Sequence, residues 1–456
     1  MNSEWSFFID FAFLSLFLGC ATYLKRSFKV FSKYLIPDAI IAGFIGLILG
    51  PELLNWVHLN PQRLGRLIYH LMAIGFIALA LKDRERKQGH DIRNTGIYIV
   101  STYLLQGIVG FLITLFLANT IYPDLFPSFG LLLPLCFGQG PGQAFSIGSQ
   151  WESVGFTHGA NIGLSIATFG YLWACIGGVI LMNYLIKKRK MRLAKDRISE
   201  KAVREIAVTK EVEVEPAPIK GSIDKITIQL FLIGIVYLAT YGTLSLLHVI
   251  LTPLGSFGET LASLFWGFHF IIGSLYAILM RVIFDYFKKK ETMVRNYPDN
   301  YLLERISAGS FDFMITAAIA AISISVVKEF IVPILLVTTI GGIITIFYTI
   351  FMCKRIFKEN VLEYILALYG MLTGTISTGL ALLREIDPNF DTQVAEKLVL
   401  GSGVGLAFGF PLMIILNIPI FGYVNNQPIM YLYTLLALLA YLLILIWFLL
   451  GRKKNN

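Results

Sequence analysis

The feature that most constrains this chain is a series of apolar runs, spread along all 456 residues, that are long enough to cross a membrane. A spanning helix needs about 20 apolar residues, whereas a transmembrane strand needs only about 10 residues that alternate in polarity. Hydrophobic residues make up 56% of the chain and charged residues 15%. Soluble domains carry about 25% charged residues. The sequence therefore predicts an all-α polytopic membrane protein within a lipid bilayer.

The apolar runs form two sets of five, separated by a charged stretch. The first set comprises residues 5–23, 37–54, 67–81, 96–118 and 160–186. The second set comprises residues 226–250, 261–280, 306–327, 330–352 and 395–423, and one more run follows at 429–450. Residues 187–225 hold twelve basic and seven acidic residues, which predicts a solvated cytoplasmic linker. The predicted units are repeats 1–186 and 226–424, the linker 187–225, and an extra helix with a basic tail, 425–456.

Two segments inside this apolar pattern contain residues that break helices. Residues 137–148 read Phe-Gly-Gln-Gly-Pro-Gly-Gln-Ala-Phe-Ser-Ile-Gly, and residues 369–380 read Tyr-Gly-Met-Leu-Thr-Gly-Thr-Ile-Ser-Thr-Gly-Leu, with glycines at matching positions. Non-helical backbone at membrane depth requires protein or a wet cavity to satisfy it. Paired interrupted segments point to the binding site of a transporter, so we predict re-entrant hairpins at about 131–149 and 361–382.

The distribution of basic residues predicts the topology. If both hairpins return to the side from which they enter and the N-terminus is outside, 35 of the 38 lysines and arginines lie on the cytoplasmic side. If the first hairpin segment instead crossed the whole membrane, the basic linker would lie outside, against the preference of basic loops for the cytoplasmic side. The repeats are then inverted relative to each other, the C-terminus is cytoplasmic, and the hairpin tips can meet near the midplane. The predicted fold is two inverted five-helix repeats, each with a re-entrant hairpin, plus one C-terminal helix.

Residues in both hairpins are candidates for binding a substrate. Those in the first hairpin are Gly138, Gln139, Gly140, Gly142 and Gln143. Those in or after the second are Gly370, Gly374, Thr375, Thr378 and Arg384. The glycines leave backbone groups free to bind, although close helix packing of the GxxxG kind is the alternative. Threonine hydroxyls can instead bond back to helix carbonyls. The arginine can bind a carboxylate bidentately or snorkel to the interface.

Oxygen-bearing side chains near the hairpins are candidates for Na⁺, a hard cation. They are Asn161, Thr168, Ser377, Ser402 and Asp312. Close helix packing is the alternative for Asn161, Thr168 and Ser402, and a bond back to a helix carbonyl is the alternative for Ser377. Asp312 lies in an apolar run, and a carboxylate inside a membrane usually has a functional role. The alternative is that Asp312 lies near the end of its helix and is exposed to water. If protons were the coupling ion, Asp312 or His269 would be the relay.

Several classes of protein are not supported by the sequence. The glycine-rich run lacks the Gly-Lys-Ser/Thr ending of a P-loop, follows no strand, and is accompanied by no HExxH motif, so no enzyme is predicted. The four cysteines are scattered without a CxxC, which indicates neither a disulfide framework nor a metal site. The net charge of +9 is explained by cytoplasmic loops and not by nucleic acid. We expect no cofactor beyond Na⁺ as the coupling ion.

The chain resembles the bacterial sodium/glutamate symporter family over roughly residues 5–424. The motifs that carry the resemblance are Ile36-Pro37-Asp38, Ala73-Ile74-Gly75, Gly138-Gln-Gly-Pro-Gly142, Gly155-Phe156-Thr157, Ala167-Thr168-Phe169-Gly170, Gly370, Gly374, Thr378 and the glycines near 401–405. The resemblance implies a homodimer and Na⁺-driven uptake of glutamate, or of a related small carboxylate or amino acid, across the inner membrane by an elevator motion. Departures from the family pattern occur at Phe137, Gln139, Pro141, Leu372, Ser377 and Leu382.

Two other functions stay open at this point. One is a proton-coupled carrier of another organic anion. Transport that depends on pH but not on Na⁺ would favour it. The other is an uncoupled channel-like or sensory membrane protein, which saturable accumulation against a gradient would exclude.

Overall fold

A computed structural model of the chain describes residues 3–28, 31, 36–82, 89–189, 224–254, 256–290, 298–387 and 392–451, which form helices and turns and no strand. The helices of the first half are α1 (Ser3–Ser27), α2 (Asp38–Leu49), α3 (Pro61–Leu81), α4 (His90–Ala118), α5 (Leu133–Gly138), α6 (Pro141–Glu152), α7 (Gly159–Leu172) and α8 (Gly178–Arg189). A 3₁₀ turn, Phe129–Leu132, precedes α5, and a π-helical turn, Trp173–Gly177, joins α7 to α8.

The helices after the linker are α9 (Lys225–Leu251), α10 (Ser256–Gly267), α11 (His269–Lys289), α12 (Asn300–Ala320), α13 (Ile324–Glu329), α14 (Ile331–Ile356), α15 (Val361–Thr373), α16 (Ile376–Arg384), α17 (Val394–Ile415), α18 (Ile418–Val424) and α19 (Ile429–Leu450). Most of the predicted linker, residues 190–223, lies outside the described residues. So does the basic tail after residue 451.

Within the described part of the chain, nine helical stretches are long and apolar enough to cross a membrane, and each corresponds to a predicted span. The prediction of a full span at 37–54 is wrong. α2 has only 12 residues, a length of about 18 Å, because it stops at Gly50 before Pro51 and the residue before proline disfavours helix. The run 306–327 is likewise divided between α12 and α13, and the run 261–280 is interrupted at Phe268.

Capping side chains explain where two of the central helices begin. Asn60 Oδ1 accepts a hydrogen bond of 3.0 Å from the Arg63 N–H, and Pro61 occupies the first position of α3. Asp299 Oδ1 accepts a hydrogen bond of 3.1 Å from the Leu302 N–H at the start of α12. These caps satisfy N–H groups that have no partner inside their own helix.

Large apolar side chains cover the outside of the molecule. Phe8 on α1, Leu238 on α9 and Phe347 on α14 are each about two-thirds exposed, and Leu443 on α19 is similar. An exposed apolar surface of this extent would be unfavourable in water and is typical of helices that face lipid. The arrangement agrees with a multi-pass membrane protein.

The helices pack as two groups. Group A contains α1–α3 and α9–α12, with α3 and α12 packed against each other and flanked by α2 and α11. Group B contains α4–α8 and α14–α19, with α4 packed against α14, α17 and α19. The groups meet where α6 and α7 contact α3, α10 and α12, and α13 connects one group to the other.

Polar contacts are concentrated within the groups. Ion pairs between described residues include Lys25–Asp38, Arg63–Asp10 and Lys82–Glu304 in group A, and Lys397–Asp91 in group B. Hydrogen bonds also cross the interface between the groups. Ser146 Oγ donates to the Gly267 carbonyl over 3.1 Å, and the Ser323 N–H donates to Asn161 Oδ1 over 3.2 Å.

Candidate functional site

The first predicted hairpin is a helix–break–helix segment, in which α5 ends at Gly138 and α6 starts at Pro141. The break between them, which we call break 1, is formed by Gln139 and Gly140. Gly140 has φ +90° and ψ 174°, a conformation that is essentially restricted to glycine. Pro141 cannot donate a backbone hydrogen bond and so suits the first position of α6. Glycine and proline therefore fix the position of break 1.

The second predicted hairpin has the same form. α15 ends at Thr373, and Gly374 and Thr375 form break 2 before α16. The Thr375 N–H donates to Thr378 Oγ1 over 2.9 Å. Thr378 Oγ1 lies 2.7 Å from the Gly370 carbonyl oxygen, to which it donates. The Thr378 hydroxyl thus holds the segment together, and Gly370 is its internal partner.

The two breaks lie against each other inside group B. A Cβ atom added to Gly140 would lie 3.7 Å from Thr375 Cγ2, and α5 packs against α15. Break 2 also contacts the π-helical turn, since a Cβ atom on Gly374 would lie 3.0 Å from Ala174 Cβ. Tyr369 Oη donates to the Trp173 carbonyl in that turn over 2.9 Å. π-helical turns occur frequently at functional sites.

Two side chains of α4 bind the ends of the helices that lead into the breaks. Tyr103 Oη donates to the Gly138 carbonyl over 2.9 Å, and Gln106 Nε2 donates to the Leu372 carbonyl over 2.9 Å. Residues three apart share one face of a helix, so one face of α4 holds both segments. Neither residue was predicted from the sequence, although a glutamine within an apolar span is a signal that could have identified Gln106.

The four helix ends at the breaks create a defined electrostatic environment. α6 and α16 begin there, and the first N–H groups of a helix lack intrahelical partners and carry partial positive charge. α5 and α15 end there and contribute partial negative charge. Gln143, in the first turn of α6, is 2% exposed, and its Oε1 has no hydrogen-bond partner among the described residues. The site can therefore favour an anion at two helix starts and a cation at carbonyl oxygens.

Gly142 lies at the interface between the groups. A Cβ atom there would be 2.5 Å from the Met314 sulfur on α12 and 3.0 Å from the Met72 sulfur on α3. The glycine therefore permits α6 to approach both central helices of group A. This contact is the close-packing alternative, and the role of Gly142 in binding a substrate stays a prediction.

The polar atoms of three predicted ion-binding residues have hydrogen-bond partners within the protein. Thr168 Oγ1 donates to the Leu164 carbonyl over 2.9 Å, and Ser402 Oγ donates to the Val399 carbonyl over 2.7 Å. Asn161 accepts the bond from Ser323 described above. These contacts are the packing and back-bonding alternatives raised by the sequence.

The structure does not bring Arg384 to the breaks. Arg384 is exposed at the last position of α16, about 12 Å along the helix from its start at 1.5 Å per residue. Ser377 lies at the start of α16 but is exposed. Asp312 is exposed on α12, two residues before Met314, so it does not share the face that contacts Gly142. Its electrostatic neighbours are Tyr171 on α7 and Asp38.

His269 has a place in the packing of group A. Its ring stacks on Tyr69 with centroids 3.6 Å apart. Nε2 lies 2.9 Å from the Tyr69 carbonyl and Nδ1 lies 3.1 Å from the Trp266 carbonyl. These contacts join α11 to α3 at the point where α10 ends. His269 therefore has a structural role in packing these helices together.

Tyr103→Phe is expected to destabilise the protein by about 1–3 kcal/mol, because it leaves the buried Gly138 carbonyl without its partner. Thermal unfolding of the purified protein measures the change. Tyr348→Phe is the matched control on α14, where the lost bond goes to Ser101 Oγ. Ser101 keeps its own hydrogen bond to the Tyr98 carbonyl. The control should therefore lose less stability than Tyr103→Phe. A control that loses as much as Tyr103→Phe would contradict the role of Tyr103 at break 1.

The described residues contain no cluster of three or more His, Cys, Asp and Glu side chains suited to a metal ion. A family model described as sodium/glutamate symporter matches residues 6–375, from α1 to break 2. Searches of curated proteins and of solved structures found no match.

Proposed function

The chain belongs to the sodium/glutamate symporter family, and from this we propose that it carries glutamate, or a related small carboxylate or amino acid, together with Na⁺. The family consists of transporters and not enzymes, as the sequence predicted. The family also supports Na⁺ as the coupling ion. The identity of the substrate is part of our proposal.

The observation that carries the proposal is the meeting of four helix ends at breaks 1 and 2. In transporters, the positive ends of interrupted helices face anionic groups of the substrate, while unwound carbonyls and negative ends coordinate the coupling cation. Here α6 and α16 offer two positive ends, which suits a substrate with two carboxylates. The buried Gln143 Oε1 is an acceptor suited to an ammonium group or Na⁺.

We also propose that the fold consists of two inverted repeats with re-entrant hairpins. The packing supports this, because the following contacts between helices of the first half and helices of the second have counterparts in which the two halves swap roles. α3 packs against α12 and α4 against α14, while α2 on α12 is mirrored by α11 on α3. The breaks occupy corresponding places in the two halves. The family and the charge distribution support an inner-membrane homodimer with an external N-terminus.

The division into groups supports an elevator mechanism. Group B contains both breaks, and its interface with group A includes glycines at positions 65, 142 and 267. The hydrogen bonds across that interface at Ser146 and Asn161 would have to exchange during a sliding motion. In this mechanism group B carries the substrate past group A.

Uptake of labelled glutamate into proteoliposomes tests the proposal. We expect saturable accumulation with an inward Na⁺ gradient and none when K⁺ replaces Na⁺. Accumulation driven by a pH gradient without Na⁺ would indicate proton coupling instead. Equilibration without accumulation would favour a channel-like protein. Absence of uptake would exclude glutamate, and competition with other carboxylates and amino acids would then identify the substrate.

A further inference from the structure

A pocket of about 520 Å³ lies at the interface between groups A and B. Its walls include Gly65, Arg66 and Tyr69 from α3, and Phe145, Ser149 and Glu152 from α6. We call it the α3–α6 pocket. Its size is in the range of small-molecule binding sites, about 300–1,000 Å³. No residue of this pocket except Asn161, which lies at its edge, was predicted to bind a ligand.

The α3–α6 pocket lies along the helix that begins at break 1. α3 and α6 run antiparallel, because Gly65 contacts Phe145 and, two turns further along α3, Met72 contacts Gly142. The pocket therefore lies at the end of α6 that is remote from break 1. Met72, one turn beyond Tyr69 on α3, and Met314 on α12 contact the first turn of α6 at Gly142. Methionine side chains adapt readily to changes in packing, so these contacts can rearrange.

The charges in the pocket are unusual because they are opposite and not paired with each other. Arg63 forms an ion pair with Asp10, whereas Arg66, one turn later, forms none with any described residue. Glu152 Oε1 accepts a hydrogen bond of 3.0 Å from the Ala160 N–H, but no described cation pairs with it. A guanidinium and a carboxylate in one pocket complement a ligand that carries both charges, since arginine binds carboxylates bidentately.

We propose that the α3–α6 pocket is a second binding site, distinct from the breaks, for zwitterionic α-amino acids. Arg66 binds the α-carboxylate and Glu152 binds the ammonium group. With the N-terminus outside, α3 begins at the outer surface, so the pocket raises the local concentration of substrate on the outer side. Displacement of Met72 and Met314 then gives access to the breaks. This inference rests on the proposed function, because it takes the substrate to be an amino acid.

Equilibrium binding of labelled L-glutamate to the purified full-length protein in Na⁺ tests the proposal. We expect two molecules per chain in the wild type and one in Arg66→Gln. Arg66→Lys keeps the charge and should retain part of the second site. In uptake, Arg66→Gln should raise KM about tenfold or more, as expected for a lost charged hydrogen bond, without lowering the maximal rate.

A second comparison separates the roles of the two charges. Glutarate has the two carboxylates of glutamate but no ammonium group. Glu152→Gln should therefore weaken binding of glutamate at the second site and leave binding of glutarate there unchanged. Equal losses for both ligands would overturn the role of Glu152.

The outcomes for this inference and for the proposed function are distinguishable. If the wild type accumulates glutamate with Na⁺ but Arg66→Gln keeps both the stoichiometry and KM, the second site is refuted and the symporter stands. If the wild type accumulates no glutamate, the proposed substrate fails. One molecule per chain in the wild type, or none, overturns the second site whatever the result of uptake.

Discussion

Gly138→Ala is expected to abolish uptake. The added methyl group would overlap the Tyr103 ring, which is buried and whose hydroxyl binds the Gly138 carbonyl. A rigid aromatic ring in a close-packed interior cannot move away without displacing its neighbours. The methyl group would therefore push the end of α5 away from α4 and separate break 1 from break 2. Uptake of labelled substrate into proteoliposomes measures the loss.

Two variants serve as controls for Gly138→Ala. Gly234→Ala makes the same change on α9, where a Cβ atom would have no neighbour within 4 Å, and it should leave uptake unchanged. Combining Gly138→Ala with Tyr103→Leu removes the ring and should restore part of the uptake, as expected for residues in direct contact. Wild-type uptake by Gly138→Ala alone would contradict the close contact of α5 with α4.

The pair Asn161→Cys and Ser323→Cys is expected to stop transport when the two thiols are cross-linked. Asn161 is on α7 in group B, and its side chain accepts a bond from the Ser323 backbone. Ser323 is tied to group A, because its Oγ donates to Glu52 Oε1 over 3.3 Å. A short covalent link would therefore hold the groups at one relative position, and an elevator motion requires that position to change.

The cross-linking experiment uses a Cys20→Ser background, because Cys20 is the exposed native cysteine. We expect uptake to fall to background on cross-linking with a short thiol reagent and to recover after reduction. A pair within group A, Thr22→Cys with Asp38→Cys, replaces side chains 2.9 Å apart and should allow transport when linked. Full uptake with the Asn161–Ser323 pair linked would rule out movement between the groups at this point.

The breaks could be predicted from the sequence because their cause is local. Gly140 requires a backbone conformation that only glycine adopts readily, and Pro141 cannot continue α5. The nine long spans follow from hydropathy for the same reason. α2 is the exception, because its run of apolar residues continues past the Gly50–Pro51 step at which the helix ends.

The residues that lie at the breaks could be predicted from the sequence only in part. Gly140 and Thr375 of the two breaks lie close together, whereas Arg384 lies at the far end of α16, and binding of a substrate at these residues stays a prediction. An arginine near a hairpin in sequence is not necessarily near its tip in space, because a helix of nine residues separates its ends by about 12 Å. Arg66 is one of the three basic residues that the charge distribution places outside, and it lines the pocket beside α6.

By itself, the sequence determined nine segments that are long and apolar enough to span a membrane, the positions of the two breaks, and the family to which the chain belongs. These properties depend on hydropathy and on glycine and proline, which act within a few residues. Only the tertiary structure decided that Tyr103 and Gln106 hold both breaks and that α6 faces Met72 and Met314. Those contacts depend on how helices distant in sequence are rotated and packed against one another, and that is a property of the whole fold.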